Sequence, residues 1–285
     1  MTDFHDERRC ELGEGPLWHP LRGQLYWFDI LGKRLMTQEG GSPREWQFDE
    51  HVSAAGWIGR DALLVASETA LFRFDLVTGA REDLVALEAD NPLTRSNDGR
   101  ADPLGGFWIG TMGKAAEKGA GSIWRYYRGE LRRLYSGISI TNAICFSPDG
   151  DFACFTDTDS CHIQRVALDG NGWPAVDPVV HVDTRAEGLR PDGAVIDRAG
   201  NIWVAHWGAG CVAAYDRSGR PLTRIDLPVR QPSCPAFGGD DMTTLFVTSA
   251  QKGMTEADRA AAPHSGKVFR IATDHRGQYE HQVIL

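Results

Sequence analysis

The sequence predicts an all-β protein, a six-bladed β-propeller with a central metal-binding tunnel. Short runs of β-branched, aromatic and aliphatic residues recur along the 285-residue chain, and Gly, Asp, Asn and Pro separate them, which is typical of strands and turns. The six clearest runs start 37, 45, 45, 50 and 43 residues apart, which is the spacing of four-stranded propeller blades. These runs are Leu25–Ile30, Ala62–Ser67, Phe107–Thr111, Phe152–Asp157, Ile202–His206 and Leu245–Ser249.

Tight turns precede these runs and divide each repeat. Asp102–Gly106, Ser147–Gly150 and Asp197–Asn201 are the plainest, because Pro and Gly supply the backbone angles that such turns need. The apolar run before each turn, such as Ala143–Phe146, should be the innermost strand of its blade and border the tunnel. Six repeats fill residues 1–285, so we expect a single propeller domain. A terminal segment should close the ring, from either end of the chain.

The amino-acid composition limits the binding partners and the cellular compartment that we expect. Hydrophobic residues make up 42% of the chain and its formal net charge is −9, which disfavours a nucleic acid partner because phosphates need clustered Lys and Arg. Met1–Arg9 is polar, and no stretch reaches the roughly 20 apolar residues of a membrane span. We therefore expect a cytoplasmic protein without a membrane partner. The six cysteines include no CxxC pair, so packed, reduced thiols are expected. No feature indicates an oligomeric state.

Polar side chains recur at one position of the repeat, five residues before the start of the turn. In four of the six repeats this position carries a carboxylate or a carboxamide, and in the other two a small residue. Equivalent positions of a propeller form a ring at one height, so these oxygens should converge. Two carboxylates close together repel each other, and a divalent cation removes that repulsion. The six positions are Glu14, Ala54, Asn97, Asn142, Asp192 and Ser233.

An all-oxygen donor set predicts one divalent cation as cofactor. Oxygen ligands suit Ca²⁺ best, and Mg²⁺, Mn²⁺, Zn²⁺ or Fe²⁺ are the alternatives. Three or four protein ligands are fewer than the about 6–8 oxygens that Ca²⁺ takes, which leaves room for water or substrate, as a catalytic metal requires. Singly, each residue also fits an ordinary turn, as Asn97-Asp98-Gly99 and Pro191-Asp192-Gly193 illustrate. The shared register favours the metal site.

The same stretches resemble the senescence-marker-protein/gluconolactonase/regucalcin-like family. Each motif is weak alone, but the ordered set covers nearly the whole chain and is specific. The matching motifs are Leu12–Trp18 (LGEGPLW), Asn97–Pro103 (NDGRADP), Gly110–Met112 (GTM), Ile140–Ala143 (ITNA), Ser147–Gly150 (SPDG), Pro191–Gly193 (PDG), Ile202–Ala205 (IWVA), Phe237–Gly239 (FGG) and Leu245–Thr248 (LFVT).

The resemblance implies a propeller with one divalent metal in its tunnel and the hydrolysis of a sugar lactone, an aldonolactone, to the aldonic acid. By position, it implies Glu14, Asn142 and Asp192 as metal ligands, with Asp192 also as the general base. It implies Arg95 and Asn97 as substrate contacts. No Gly-x-Ser-x-Gly nucleophile motif occurs, so direct attack by water is favoured over an acyl-enzyme.

Substrate identity depends on less regular features. Some members of the family carry a substrate-binding acid three residues after the GTM motif, where this chain has Ala115, with Glu117 two residues later. We expect His206 to be a hydrogen-bonded structural residue. The connections Met112–Gly121 and Ala250–Gly266 are long and should emerge at the metal face, where long loops commonly carry selectivity. The second contains a sequence that predicts a short helix with a Thr cap.

Three other functions fit a propeller of this kind. The same scaffold could hydrolyse another ester or an organophosphate, or it could be a non-catalytic calcium-binding regulatory protein. An interaction propeller of the WD type is disfavoured, because Trp-Asp pairs are missing and the tunnel ring is polar.

Overall fold

Six four-stranded antiparallel sheets surround a central axis in the computed structural model, which describes residues 2–285. The innermost strands of successive sheets contact each other around the ring, and the innermost strand of the sixth sheet contacts that of the first. This arrangement is a closed six-bladed β-propeller, as the sequence predicts.

The blades follow one another along the chain, and the first strand of each is innermost. The N-terminal strand is β1 (Thr2–Asp6). Blade 1 contains β2 (Gly13–His19), β3 (Gln24–Asp29), β4 (Arg34–Glu39) and β5 (Ser42–Gln47). Blade 2 contains β6 (Val52–Gly59), β7 (Ala62–Ser67), β8 (Ala70–Asp75) and β9 (Arg81–Ala86). Blade 3 contains β10 (Thr94–Ala101), β11 (Phe107–Gly113), β12 (Gly121–Tyr127) and β13 (Glu130–Ile138).

The remaining blades repeat this order. Blade 4 contains β14 (Thr141–Phe146), β15 (Phe152–Asp157), β16 (His162–Ala167) and β17 (Val179–Asp183). Blade 5 contains β18 (Pro191–Ile196), β19 (Ile202–His206), β20 (Cys211–Tyr215) and β21 (Pro221–Asp226). Blade 6 contains β22 (Pro232–Gly238), β23 (Thr244–Ser249) and β24 (Val268–Ala272), with β1 as its outermost strand.

The six runs predicted from the sequence are the second strands of the six blades. Three of them coincide with β7, β15 and β19, and the others differ from β3, β11 and β23 by at most two residues at an end. All residues of β7 and β19 are buried, because the second strand lies within the blade and packs against neighbouring blades on both faces. Strands that are buried on both faces are continuously apolar, so they can be recognised in the sequence.

Both chain ends complete the ring. β1 pairs antiparallel with β24, so the N-terminus supplies the closing strand. The C-terminal segment, residues 273–285, crosses the end of the tunnel where the inner strands finish. Gln278 donates hydrogen bonds to the carbonyls of Phe146 (2.8 Å) and Ile196 (3.0 Å), and the Val283 amide donates to the Trp57 carbonyl at 2.9 Å.

Helix is scarce in the part of the chain that the structure describes. The α-helix α1 (Glu256–Ala261) lies in the connection after β23, and Thr255 caps it in a reciprocal arrangement with Asp258, which confirms the predicted helix. No helix within residues 2–285 combines the length and the apolarity of a membrane span. The six cysteines are free thiols, and all but the half-buried Cys161 are buried.

Candidate metal centre

The inner strands leave a cavity of about 280 Å³ at the end of the tunnel where they begin. The four oxygen-bearing positions of the predicted ring, Glu14, Asn97, Asn142 and Asp192, all line it. Each comes from a different blade, so only the closed propeller brings them together. The structure places these side chains in one cavity, and their roles as ligands or substrate contacts stay predictions.

Bulges in the inner strands direct these side chains toward the axis. Glu14 and Asn142 are each the last paired residue before the bulge of their strand. Asn97 and Asp192 lie within their bulges, one residue beyond the equivalent paired position. Relative to the strand pairing, Asn97 and Asp192 therefore lie one residue later in blades 3 and 5 than Glu14 and Asn142 do in blades 1 and 4. The bulges still allow all four side chains to line the same cavity.

Each of the two carboxylates is followed by a glycine that the ring requires. Gly15 has φ +52°, and a Cβ there would lie 2.3 Å from the Ser53 carbonyl of the next blade. A Cβ on Gly193 would lie 2.3 Å from the Sγ of Cys234. A larger residue at either position would push the inner strands apart and move the adjacent acid.

Glu14 and Asp192 are both buried, with 5% of each residue exposed. Burial raises the pKa of Glu14 well above its usual range, and the charges of Asp192 and Asp98 raise it further. Burial and the charge of Asp98 likewise raise the pKa of Asp192, against the opposing effect of nearby cations. Glu14 accepts one hydrogen bond, from the Gly15 amide at 3.2 Å, and within residues 2–285 no group donates to the Asp192 carboxylate.

A chain of hydrogen bonds orients the amide of Asn142. Asn97 donates from Nδ2 to Asn142 Oδ1 at 2.9 Å, and Asn142 donates from its own Nδ2 to Thr158 Oγ1 at 2.9 Å. Thr158 in turn donates to the Pro191 carbonyl at 2.7 Å, beside Asp192. Because the Asn142 nitrogen donates to Thr158, its oxygen accepts from Asn97 and has a second lone pair available.

These donors fit a hard divalent cation. Two buried carboxylates with few hydrogen-bond donors carry the charge that such a cation would balance, and the oriented amide oxygen of Asn142 could serve as a third ligand. The described residues contain no cluster of three or more His, Cys, Asp or Glu side chains arranged for a metal. The predicted third ligand, Asn142, is a carboxamide and does not belong to these four residue types.

Arg95 presents a guanidinium to the same cavity. The residue is 2% exposed, and burial lowers its pKa to about 10, although the charges of Glu14 and Asp192 oppose this effect. Its Nη1 donates to the Ser96 carbonyl (2.8 Å) and to Asn97 Oδ1 (2.7 Å). Nε and Nη2 form no hydrogen bond with the described residues, so they are available to a bound molecule.

Two residues considered from the sequence lie outside the cavity. Glu117 folds back so that its Oε2 accepts a hydrogen bond from the Ala115 amide at 3.1 Å, and neither residue lines the cavity. His206 is fully buried, and its Nε2 lies 3.1 Å from the Tyr215 hydroxyl. The structural role expected for His206 agrees with this position.

Sequence reasoning missed several cavity residues, among them Thr158, Arg190 and Lys252. They lie in the connections between strands rather than at the repeating position of an inner strand. Arg190 directly precedes β18, and Thr158 and Lys252 come shortly after the second strands of blades 4 and 6. Proximity to the ends of predicted second strands was the signal that could have identified Thr158 and Lys252.

The chain is similar in sequence and in fold to known proteins of one family. The family model described as "SMP-30/Gluconolactonase/LRE-like region" matches residues 12–251. A candidate sugar lactone lactonase from Rhizobium meliloti is 43% identical over 96% of this chain and 94% of that protein. A 6-deoxy-6-sulfogluconolactonase from Pseudomonas putida is 34% identical over 90% of each chain. The crystal structure of a calcium-binding protein, regucalcin, from Agrobacterium tumefaciens has 38% identity and a TM-score of 0.98, covering 100% of this chain and 98% of that one.

Proposed function

The chain belongs to the SMP-30/gluconolactonase/LRE-like family, and we propose that it is a metal-dependent sugar lactonase that opens an aldonolactone to the aldonic acid. The observation that carries this proposal is the convergence of Glu14, Asn142, Asp192 and Arg95 in one cavity at the end of the tunnel. Relatives above 30% identity that bear lactonase names support the reaction.

We propose that Glu14, Asn142 and Asp192 hold one divalent cation, with Ca²⁺ as the first candidate. The donor set supports this choice, since it consists of oxygens only. A similar solved structure described as a calcium-binding protein also supports it. When bound, such a cation polarises the ester carbonyl and stabilises negative charge that develops on its oxygen.

The chain's own residues supply positioning and proton transfer. Arg95 donates from Nε and Nη2 to the lactone, and Asn97, fixed by Arg95 and Asn142, contacts the sugar. Water attacks the carbonyl carbon while Asp192 accepts its proton. The ester C–O bond then breaks, and the proton passes from Asp192 to the leaving ring oxygen, which becomes a hydroxyl group.

A second candidate is calcium binding without catalysis. The observation that favours it is the similarity to the structure described as a calcium-binding protein. The same ring would then hold Ca²⁺ for a structural or regulatory purpose. In that case Arg95 would serve the fold alone.

A substrate panel tests the proposal. Chelated protein, with each divalent metal restored in turn, is assayed on several aldonolactones, an aryl ester and a phosphotriester. We expect hydrolysis of aldonolactones above the spontaneous rate, lost in Arg95→Gln and retained in Arg185→Gln, an exposed arginine of the connection before β18. Calcium binding without hydrolysis of any lactone would favour the second candidate, and preferential cleavage of the aryl ester or the phosphotriester would assign another hydrolase activity.

A further inference from the structure

The cavity is lined by more cations than acids. Arg95, Arg190 and Lys252 face Glu14 and Asp192, which is three positive groups against two negative ones. The chain as a whole has a formal net charge of −9, so this positive lining is a local property. A divalent cation balanced by the two acids would leave the three basic side chains without a counter-charge in the cavity.

Lys252 is held at the cavity on a fixed turn. The Gln251 amide donates to the Glu11 carbonyl at 3.1 Å, and the Met254 amide donates to the Gln251 carbonyl at 3.0 Å. The Gln231 side chain donates to the Lys252 carbonyl at 3.1 Å. The backbone on both sides of Lys252 is therefore held by hydrogen bonds, which fixes the position from which its side chain extends.

The ammonium group of Lys252 has no partner among residues 2–285. It forms no ion pair and no hydrogen bond there, although the residue is only partly exposed and lines the cavity. Burial and the charge of Arg95 lower its pKa, and Asp192 and Glu14 oppose that shift. A partly desolvated cation without a counter-ion is a strong attractor for an anion.

Arg190 also lines the cavity, and its charge acts on Asp192 as that of Lys252 does. Its Nη2 donates to Asp159 Oδ1 at 2.6 Å, and both side chains are nearly half exposed. The Trp207 amide donates to the Arg190 carbonyl at 2.9 Å, which fixes the backbone there. Arg190 thus adds positive charge at the rim, while Asp159 partly balances it.

No acid other than Glu14 and Asp192 is among the described residues that line the cavity. Glu117, the candidate acid of the nearby connection, is turned toward the Ala115 amide instead. The uncharged polar lining includes Thr158 and Gln231. A negative group on the substrate would therefore meet basic and neutral side chains beyond the two ring acids.

We propose that the lactone carries an anionic group in addition to its ester, and that Lys252 binds this group with Arg190 beside it. The inference rests on the proposed lactonase function and specifies its substrate class. The group is compact and negatively charged, a carboxylate, a sulfonate or a phosphate. Lys252 acts here as a specificity residue and takes no part in proton transfer.

Matched lactones test this inference. We compare kcat/KM for a neutral aldonolactone with that for the same lactone bearing a terminal carboxylate, sulfonate or phosphate. The wild type should prefer at least one charged form by about tenfold to a hundredfold. Lys252→Gln should lower kcat/KM on the charged lactone about tenfold more than on the neutral one, and Lys252→Arg should retain the preference. The control Lys33→Gln removes a cation of the β3–β4 turn, on the same face but outside the cavity, and should behave as the wild type.

The outcomes separate the substrate class from the reaction. A wild type that prefers neutral lactones, or an equal loss on both forms in Lys252→Gln, would overturn the anion site and leave the lactonase function standing. Calorimetric binding of an aldonate and of the corresponding aldarate, which has a second carboxylate, supplies a readout without catalysis. Tighter aldarate binding that Lys252→Gln abolishes supports the anion site even if no lactone is hydrolysed, and equal binding of the two acids contradicts it.

Discussion

Glu14, Asn142 and Asp192 belong to blades 1, 4 and 5, and even the nearest pair in sequence, Asn142 and Asp192, is 50 positions apart (192 − 142). A cation held by all three would join distant parts of the chain. Because such a cation binds the folded ring and not the unfolded chain, it should stabilise the fold as well as support the reaction.

Substitution of each proposed ligand should weaken metal binding and lower activity together. Glu14→Gln, Asn142→Ala and Asp192→Asn each remove charge or an oxygen donor. Thr158→Val removes the hydroxyl that accepts from Asn142 and donates to the Pro191 carbonyl but leaves all three ligands in place. It should therefore cost about tenfold to a hundredfold in metal affinity, and the ligand substitutions should cost more. Calorimetric titration beside the lactonase assay measures both effects, with the exposed Asp49→Asn as control. Full activity of Asp192→Asn in chelated buffer would refute its assignment as ligand and as base.

The two buried acids also predict how the stability of the metal-free protein depends on pH. Their pKa values are raised in the folded state, so folding favours the protonated forms. This contribution is present below the unfolded pKa of about 4 and is lost as pH rises through the folded pKa values. The melting temperature of chelated wild type, relative to a Glu14→Gln/Asp192→Asn double variant, should therefore fall with rising pH, and added metal should restore it. A pH-independent difference between the two proteins would contradict the raised pKa values.

Residues at the repeating inner-strand position could be predicted from the sequence, and those outside it could not. Counting back from the turns identified Glu14, Asn97, Asn142 and Asp192, because turn residues mark each repeat. The same count could not reveal that Asn97 and Asp192 lie one residue further along, within bulges. Lys252 lies in a connection whose sequence does not repeat from blade to blade, so counting from the turns could not identify it.

At the scale of elements, the connections at the metal face complete the cavity. The connection after β11 contributes Ala116, and that after β23 contributes Lys252. Two hydrogen bonds donated by backbone amides anchor the first connection. The Lys114 amide donates to the Leu93 carbonyl at 2.8 Å, and the Gly119 amide donates to Ser139 Oγ at 3.2 Å. A connection anchored at its ends can vary in between without disturbing the sheets.

Exchange of residues 112–121 should change which lactone is preferred. The segment borders the substrate side of the cavity through Met112 and Ala116, whereas the proposed metal ligands lie on other elements. We expect the ratio of kcat/KM between two lactones to shift by about tenfold, with an unchanged dissociation constant for the metal. An unchanged order of substrates would exclude a selectivity role, and loss of metal binding would show that the connection supports the site itself.

Buried strands were easier to predict from the sequence than exposed ones. Second strands such as β7 are buried throughout and were predicted within two residues. Most residues of the outermost strand β21 are exposed, so its composition is governed by solvent and resembles that of a loop. The helix α1 was predicted because its Thr255 cap is a local signal that does not depend on packing.

In the whole molecule, the C-terminal segment crosses the end of the tunnel opposite the candidate metal centre. Its Glu280 forms a buried ion pair with Arg100, which also donates to the carbonyls of Ile144 and Ala194, both at 3.2 Å. The Ile284 amide donates to the Gly105 carbonyl at 2.8 Å. The role of residues 273–285 could not be predicted from the strand periodicity, because this segment contains no strand and contacts several blades through individual residues.

Glu280→Gln should destabilise the propeller without weakening metal binding. The substitution leaves Arg100 buried without its counter-charge, and loss of one partner of a buried pair costs about 3–5 kcal/mol. Urea unfolding measures this loss, and the exposed Glu82→Gln should change stability by less than about 0.5 kcal/mol. A stability equal to that of the wild type would mean that the two carbonyls and the nearby charge of Asp98 satisfy Arg100 without Glu280.

If one divalent cation, held by side chains from three blades, is required for lactone hydrolysis, activity must follow the occupancy of that site. The most direct test is the rate of lactone hydrolysis measured at each point of a Ca²⁺ titration into fully chelated protein. The rate should start at the spontaneous background and rise in proportion to occupancy until one ion is bound per chain. A full rate in the chelated protein, or a background rate when one ion is bound, would contradict this requirement.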